Sequence, residues 1–224
     1  MITQSGIRVA PDTNTVPAPL DLAVHMARIT RFGGAVWSPL LLHSVLVAEL
    51  VWRELATRKE DFDFPSFCWA LLHDAHETVT GEIPRPWKPK QMKDYQHELD
   101  YRIAQAYRVD LTKVDLKLVK AMDERALLLE ANSLGLPKES FQKAYSEREM
   151  GGDGFPAVPD DQLRLGEDVA TSAFWNIDVR WPFTSRIVRT LAQIFTMIKS
   201  GDQVGAANAF RLMFDRVVVD KIRE

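Results

Sequence analysis

Apolar residues recur at helical spacing along most of this chain, and polar breaks divide it into discrete elements. Leu22, Val24, Met26, Ala27 and Ile29 predict a first helix from about Leu20 to Phe32, stopped by Gly33 and Gly34. Ser38-Pro39 reads as an N-cap followed by proline at the first helical position, opening a helix to about Ala56. Pro65 starts a third through Phe67, Ala70, Leu71 and Leu72, ending near Gly81. Pro84, Pro86 and Pro89 forbid a helix and predict a rigid loop. A polar amphipathic helix follows over about Gln91 to Tyr107. Thr112 caps another, about Lys113 to Leu134, with Val114, Leu118, Ala121 and Met122 in helical register. From Gly135 to Pro159 the period dissolves into a long loop rich in glycine and proline. Two late helices are expected over about Thr184 to Lys199 and Asp202 to Ile222.

No repeat and no strand pattern of strength interrupts this series. The expectation is an all-α helical bundle: an extended N-terminal arm over 1–19, then one domain over 20–224. Its core spans 21–136, a long loop insertion about 137–182, and the C-terminal helices 184–222. A split near Gly151 is the alternative.

Composition narrows the classes. A 224-residue chain can bury a sizeable core. Lys and Arg number 28 against 31 Asp and Glu, so there is no basic excess of the kind used to hold duplex nucleic acid. The longest apolar stretch, Leu40 to Trp52, is broken by His43, Ser44 and Glu49, so no membrane span is expected. The beginning of the sequence shows no basic region followed by an apolar core, and a cytoplasmic protein is expected. The single cysteine, Cys68, lies in an apolar run and reads as a buried, inert thiol.

The candidate chemistry gathers around three of five histidines: His43, His73 and His76. His73-Asp74 places an imidazole and a carboxylate about 100° apart on a helix, where both can converge on one ion. Glu77 follows His73 by one turn. The dipeptide alone usually means an exposed pair without a role. Here it directly follows the apolar run Ala70-Leu71-Leu72, and a buried charge needs a partner or a metal. His43 stands inside Leu40–Ala48, which otherwise reads as fully buried. A satisfied core histidine is the plain reading, a metal ligand the sharper one. Asp123 belongs to a long helix and, taken alone, reads as part of a solvated face. His25 and His97 read as structural or exposed.

One His, a His-Asp pair about thirty residues later and an Asp about fifty further on, all on helices, resembles the pattern of the HD-domain metal-dependent phosphohydrolases. The similarity spans about Asp21 to Leu136 and is nearest to the bacterial and phage-borne members that include 5'-deoxynucleotidases. It is carried by Arg31-Phe32-Gly33-Gly34, His43-Ser44-Val45-Leu46-Val47, Leu71-Leu72-His73-Asp74-Ala75-His76-Glu77, Thr80 to Lys88, Glu98-Leu99-Asp100 and Val119 to Asp123.

The resemblance implies His43, His73, Asp74 and Asp123 as ligands of one divalent ion. Two imidazoles and two carboxylates suit Mn²⁺, Co²⁺, Fe²⁺, Ni²⁺ or Zn²⁺. It implies Glu77 as the carboxylate that orients or deprotonates water, or as a partner steadying a histidine. Arg31 corresponds to a phosphate-binding arginine, a role that a planar guanidinium suits. Lys88 and, more weakly, Arg85 are further phosphate candidates. Glu82 and Phe32 fall where the family places groups near the sugar, and Trp37 stacks on a base or packs. The implied substrate is a small nucleotide: a deoxynucleoside monophosphate, alternatively a deoxynucleoside triphosphate cut to nucleoside and triphosphate. A non-catalytic nucleotide sensor is the third reading. A homodimer is the assembly the family brings with it.

The chain departs from the pattern in three places. Leu42 precedes His43 where relatives often carry Glu or Gln. His76 replaces a small residue and is expected at the surface. The 141–182 segment, with Trp175, Asp178, Arg180 and Trp181, is expected to cover the pocket or build a subunit contact.

Overall fold

The computed structural model describes residues 9, 15–34, 38–58, 61–83, 87–134 and 181–222. These residues form an all-α structure, built of eight α-helices and two 3₁₀ turns. The helices are α1 (Pro19–Arg28), α2 (Leu40–Thr57), α3 (Phe64–Leu72), α4 (Glu77–Thr80) and α5 (Lys90–Ala106), followed by α6 (Leu116–Ser133), α7 (Trp181–Ser200) and α8 (Gln203–Ile222). Most of the expected insertion, Trp37 and Arg85 lie outside the described residues.

Helix α2 is the axis of the bundle. From Leu40 to Val51 every residue is buried, so the helix is apolar nearly all round and packs against α1, α3 and α6. Helix α7 lies along α1, and α8 packs on α7 and α3. Leu22 of α1, Phe67 of α3, Ile103 of α5, Phe195 of α7 and Phe210 of α8 belong to one continuous core. Phe67 and Phe210 meet edge to face at 5.1 Å, and Tyr107 and Phe195 at 6.2 Å. Residues on both sides of the 135–180 segment thus share one hydrophobic interior.

Helix α7 begins at Trp181, so the expected loop insertion ends before that residue, and four further boundaries differ from the sequence pattern, each for a local reason. Helix α1 stops at Arg28, not near Phe32. Ile29 turns extended (φ −81°, ψ 122°), and its carbonyl accepts from Leu40 N at 2.9 Å while Arg31 N donates to Ser38 O at 2.8 Å. Cross-chain hydrogen bonds thereby replace the last turn of helix. Helix α2 takes Pro39, not Ser38, as its N-cap residue, and among the described residues the buried Ser38 hydroxyl has no hydrogen-bond partner. Helix α6 starts at Leu116, because Asp115 caps it by accepting from Leu118 N at 2.9 Å. Thr112 instead sits in a 3₁₀ turn (Leu111–Lys113) closed by Asp110. The fourth difference is a break in the third helix, described with the site it builds.

The N-terminal arm is docked where it is described. Tyr107 is fully buried and donates its hydroxyl to Pro17 O at 3.1 Å; Val9 is also fully buried. Among the described residues, no helix is long and apolar enough to cross a membrane.

Two outcomes follow. Phe67→Ala removes a ring that joins α3, α8 and Trp52 and is expected to cost about 3–5 kcal/mol in a denaturant titration. Burial pushes the Cys68 thiol, helped by the Asp63 charge, up to about 12. Native protein at pH 8 should therefore resist alkylation by iodoacetamide, and modification should appear by mass spectrometry only after unfolding.

Candidate metal centre

The third helix breaks where the chemistry begins. After Leu72 the chain keeps helical dihedrals at His73 (φ −56°, ψ −33°) but tightens. Ala75 N bonds Leu72 O, Glu77 N bonds Asp74 O and Thr78 N bonds Ala75 O, all three residues back. A regular α-helix would bond four back. The Ala70 carbonyl, which α-helical geometry would offer to Asp74 N, instead accepts from His73 Nδ1 at 2.9 Å. Helix α5 braces the turn from outside: Asp100 bonds His76, and Gln96 bonds Thr80.

His43 from α2, His73 and Asp74 from this turn and Asp123 from α6 come together. Each offers one ligand atom, and these atoms lie within 4.8 Å of one another. His43 Nε2 is 3.0 Å from Asp123 Oδ1 and 3.6 Å from Asp74 Oδ2. His73 Nε2 is 3.3 Å from Asp74 Oδ2 and 3.7 Å from Asp123 Oδ1.

The proton positions follow from the outer partners. A carbonyl only accepts, so His73 carries its proton on Nδ1 and keeps a lone pair on Nε2. Among the described residues that buried Nε2 has no hydrogen-bond partner of good geometry. His43 lies between two carboxylates, with the fully buried Glu130 Oε2 at 3.1 Å from Nδ1 and Asp123 Oδ1 at 3.0 Å from Nε2; with its proton on Nδ1 it donates to Glu130 and leaves Nε2 open to a cation. Two imidazole Nε2 atoms and two carboxylates therefore converge on one point. Only a proton or a cation placed among them relieves that arrangement. The described residues thus fit a divalent ion, with nitrogen and oxygen donors and an outer shell that fixes both histidines.

The electrostatics agree. Burial alone would raise the Asp74 and Asp123 carboxyls, but the facing imidazoles, when protonated at Nε2, outweigh it and hold both well below the usual carboxylate range. Burial likewise opposes charge on His73, and the two carboxylates overcome it, raising its affinity for a proton. The field at this point attracts positive charge.

The other predicted residues surround the cluster. Arg31 Nη1 is 3.6 Å from Asp74 Oδ2, and its Nε is 3.5 Å from Glu130 Oε2. Burial lowers its basicity, yet Glu130 and Asp74 more than compensate, so the guanidinium stays charged. The loop carrying it places Phe32, Gly33 and Gly34 successively in the left-handed region, with φ of 57°, 62° and 78°. For Phe32 this is a strained conformation. Its ring lies beside the Arg31 guanidinium, 5.7 Å from the centroid. Glu82 accepts from Gly33 N at 3.3 Å and ties this loop to the end of α4. Glu77 is nearly buried, with Lys88 Nζ 3.9 Å from its Oε1. Burial, reinforced by the Asp74 charge, pushes the Glu77 carboxyl up to about 8.

No family model matches the chain, and no curated protein matches it.

Two features escaped the sequence pattern. Glu130 joins a histidine of the cluster to Arg31 from a fully buried position. Its signal was present: it follows Asp123 by seven residues, hence on the same face, inside the apolar run Ala126–Ala131. His76, expected at the surface, is only 8 % exposed and bonds Asp100 Oδ1 through Nδ1 at 2.8 Å. Lys120 also reaches the cluster, 3.6 Å from Asp123 Oδ2.

Glu130→Gln keeps size but weakens the grip on His43 and Arg31. Mn²⁺ affinity, measured by competition with a chelator, is expected to fall roughly 10–100-fold, while the near-ultraviolet dichroism of the fold persists.

Proposed function

We propose that this chain is a divalent-metal-dependent phosphohydrolase of the HD type, acting on the 5'-phosphate of deoxynucleoside monophosphates. The observation that carries the reading is the convergence of His43, His73, Asp74 and Asp123, with Arg31 and Glu77 on its border. The sequence resemblance selects these same positions, and the substrate class comes from that resemblance.

A bound divalent ion would lower the pKa of a coordinated water and offset charge developing on phosphorus. The chain's own residues do the rest. Arg31, charged and 12 % exposed along its side chain, presents a planar donor fork suited to phosphate oxygens. Lys88 adds a second cation beside Glu77. Glu77, whose carboxyl is raised to about 8, is poised near neutrality to take a proton from water. Glu82 holds the Arg31 loop through Gly33 N and keeps the phosphate end fixed relative to the cluster. The half-buried Phe32 packs along that loop, near the position the sugar would take.

The deciding experiment is a screen of the full chain, reconstituted with Mn²⁺, Co²⁺ or Zn²⁺, against each deoxynucleoside mono- and triphosphate, with products separated by chromatography. The expected result is inorganic phosphate from monophosphates, reduced at least about 100-fold in Asp74→Ala, because losing a ligand should exceed the loss of an outer-shell partner. Triphosphate release from a deoxynucleoside triphosphate would replace this reading with a triphosphohydrolase. No turnover by protein that demonstrably binds metal would replace it with a nucleotide sensor.

A further inference from the structure

Two adjacent residues ahead of α5 invert the usual burial. Trp87 is 79 % exposed, more than any other exposed large hydrophobic side chain among the described residues. Lys88, next to it, is only 13 % exposed along its side chain and turns its ammonium to Glu77 Oε1 at 3.9 Å. An indole gains free energy by leaving water, and an ammonium loses it. The Glu77 carboxylate accounts for the buried lysine. The indole is left with a large apolar face in solvent beside a charged site.

The segment that carries Trp87 is fixed at the border of the metal cluster. Upstream, Glu82 accepts from Gly33 N at 3.3 Å, in the loop that bears Arg31. Downstream, Lys88 faces Glu77, and Pro89 is the N-cap residue of α5 with φ −66° and ψ 157°. Arg31 Nη1 stands 3.6 Å from Asp74 Oδ2, and Asp74 and Glu77 offer atoms within 4.8 Å of one another. Arg31 and Lys88 therefore bracket one short edge of carboxylates, and a phosphate drawn to that edge meets both cations. The Trp87 Cα is about 3.8 Å from that of Lys88. A group carried by such a phosphate and extending toward solvent on this side passes the indole.

We infer that Trp87 is the stacking platform for the nucleobase, the residue by which this chain selects nucleotides over simple sugar phosphates. The inference rests on the phosphate-binding part of the proposed function and supplies the base contact that it lacks, since Trp37 lies outside the described residues. An aromatic ring holds a base through its π face rather than its hydrogen-bonding edge, so the contact accepts purines and pyrimidines alike. Trp87 touches no reacting atom in this role. It sets affinity and the choice of substrate.

The test uses the full chain reconstituted with Mn²⁺. Turnover of the adenine and thymine deoxynucleoside monophosphates is compared with that of 2-deoxyribose 5-phosphate, which has the same phosphate and sugar but no base. In Trp87→Ala the ratio of kcat/KM for each nucleotide to that for the sugar phosphate is expected to fall roughly 10-fold, through KM. Trp87→Phe keeps an aromatic face and should restore most of the ratio. Binding is read separately with the methylenephosphonate analogue of deoxyadenosine monophosphate, which resists cleavage. Its affinity should fall by a similar factor in Trp87→Ala, and the quenching of indole emission that it causes should be lost in Trp87→Phe. A ratio and an analogue affinity that both stay at their wild-type values would overturn the inference. Analogue binding that depends on Trp87, in a chain that hydrolyses no nucleotide, would sink the proposed reaction and leave the platform standing. Nucleotide hydrolysis indifferent to both substitutions would do the reverse.

Discussion

Two carboxylates, Asp74 and Asp123, face inward among apolar helices, and their charge has to be compensated where water is scarce. The arrangement around them answers that requirement. Arg31 is drawn in from its loop, the Nε2 atoms of His43 and His73 face the acids so that a proton or cation can sit between them, and Glu130 backs His43 and Arg31 at once. Removing one partner leaves another buried charge exposed to the same penalty. The outer shell is thus as much a part of the site as the four inner donors.

The scaffold allows this because its polar functions are carried by few elements. Helix α2 is buried nearly all round and can place His43 at zero exposure without disturbing its packing. Helix α6 supplies Asp123 and Glu130 from a single face, two turns apart. The turn between α3 and α4 supplies His73, Asp74, His76 and Glu77, and its shortened hydrogen bonds are inseparable from the His73 contact to Ala70. Helix α5 contributes no inner donor but braces that turn through Asp100 and Gln96. Among the described residues the late helices add no donor to the cluster, and they close the core through Phe195 and Phe210.

Much of this was legible in the sequence. Helical period located the elements within a few residues, because burying one face of a helix imposes that period whatever the partner. His43 and His73-Asp74 stood out because a charged or imidazole group in or beside an apolar run has few explanations, whereas Asp123 alone read as solvated surface and was singled out only by its spacing from them. What escaped were features without a one-dimensional signature. The end of α1 depends on hydrogen bonds between Ile29 and Leu40 and between Arg31 and Ser38, across a loop. Pattern alone would extend the third helix through His73, since dihedrals stay helical there and only the bonding register changes. His76 reads as surface until α5 is laid beside it and Asp100 meets its ring.

The sequence by itself determined an all-α chain and a buried cysteine, and the spacing of His43, His73-Asp74 and Asp123 marked four ligand-type residues. The first two depend on local periodicity, and the third on a pattern of residue types, all of which are written along the chain. Tertiary structure alone decided that the four donors meet, which histidine nitrogen faces inward, and that Glu130 and Asp100 stand behind the imidazoles. Those outcomes depend on distances between α2, α5, α6 and the turn after α3. Such distances are set by how whole helices pack, and no stretch of sequence contains them.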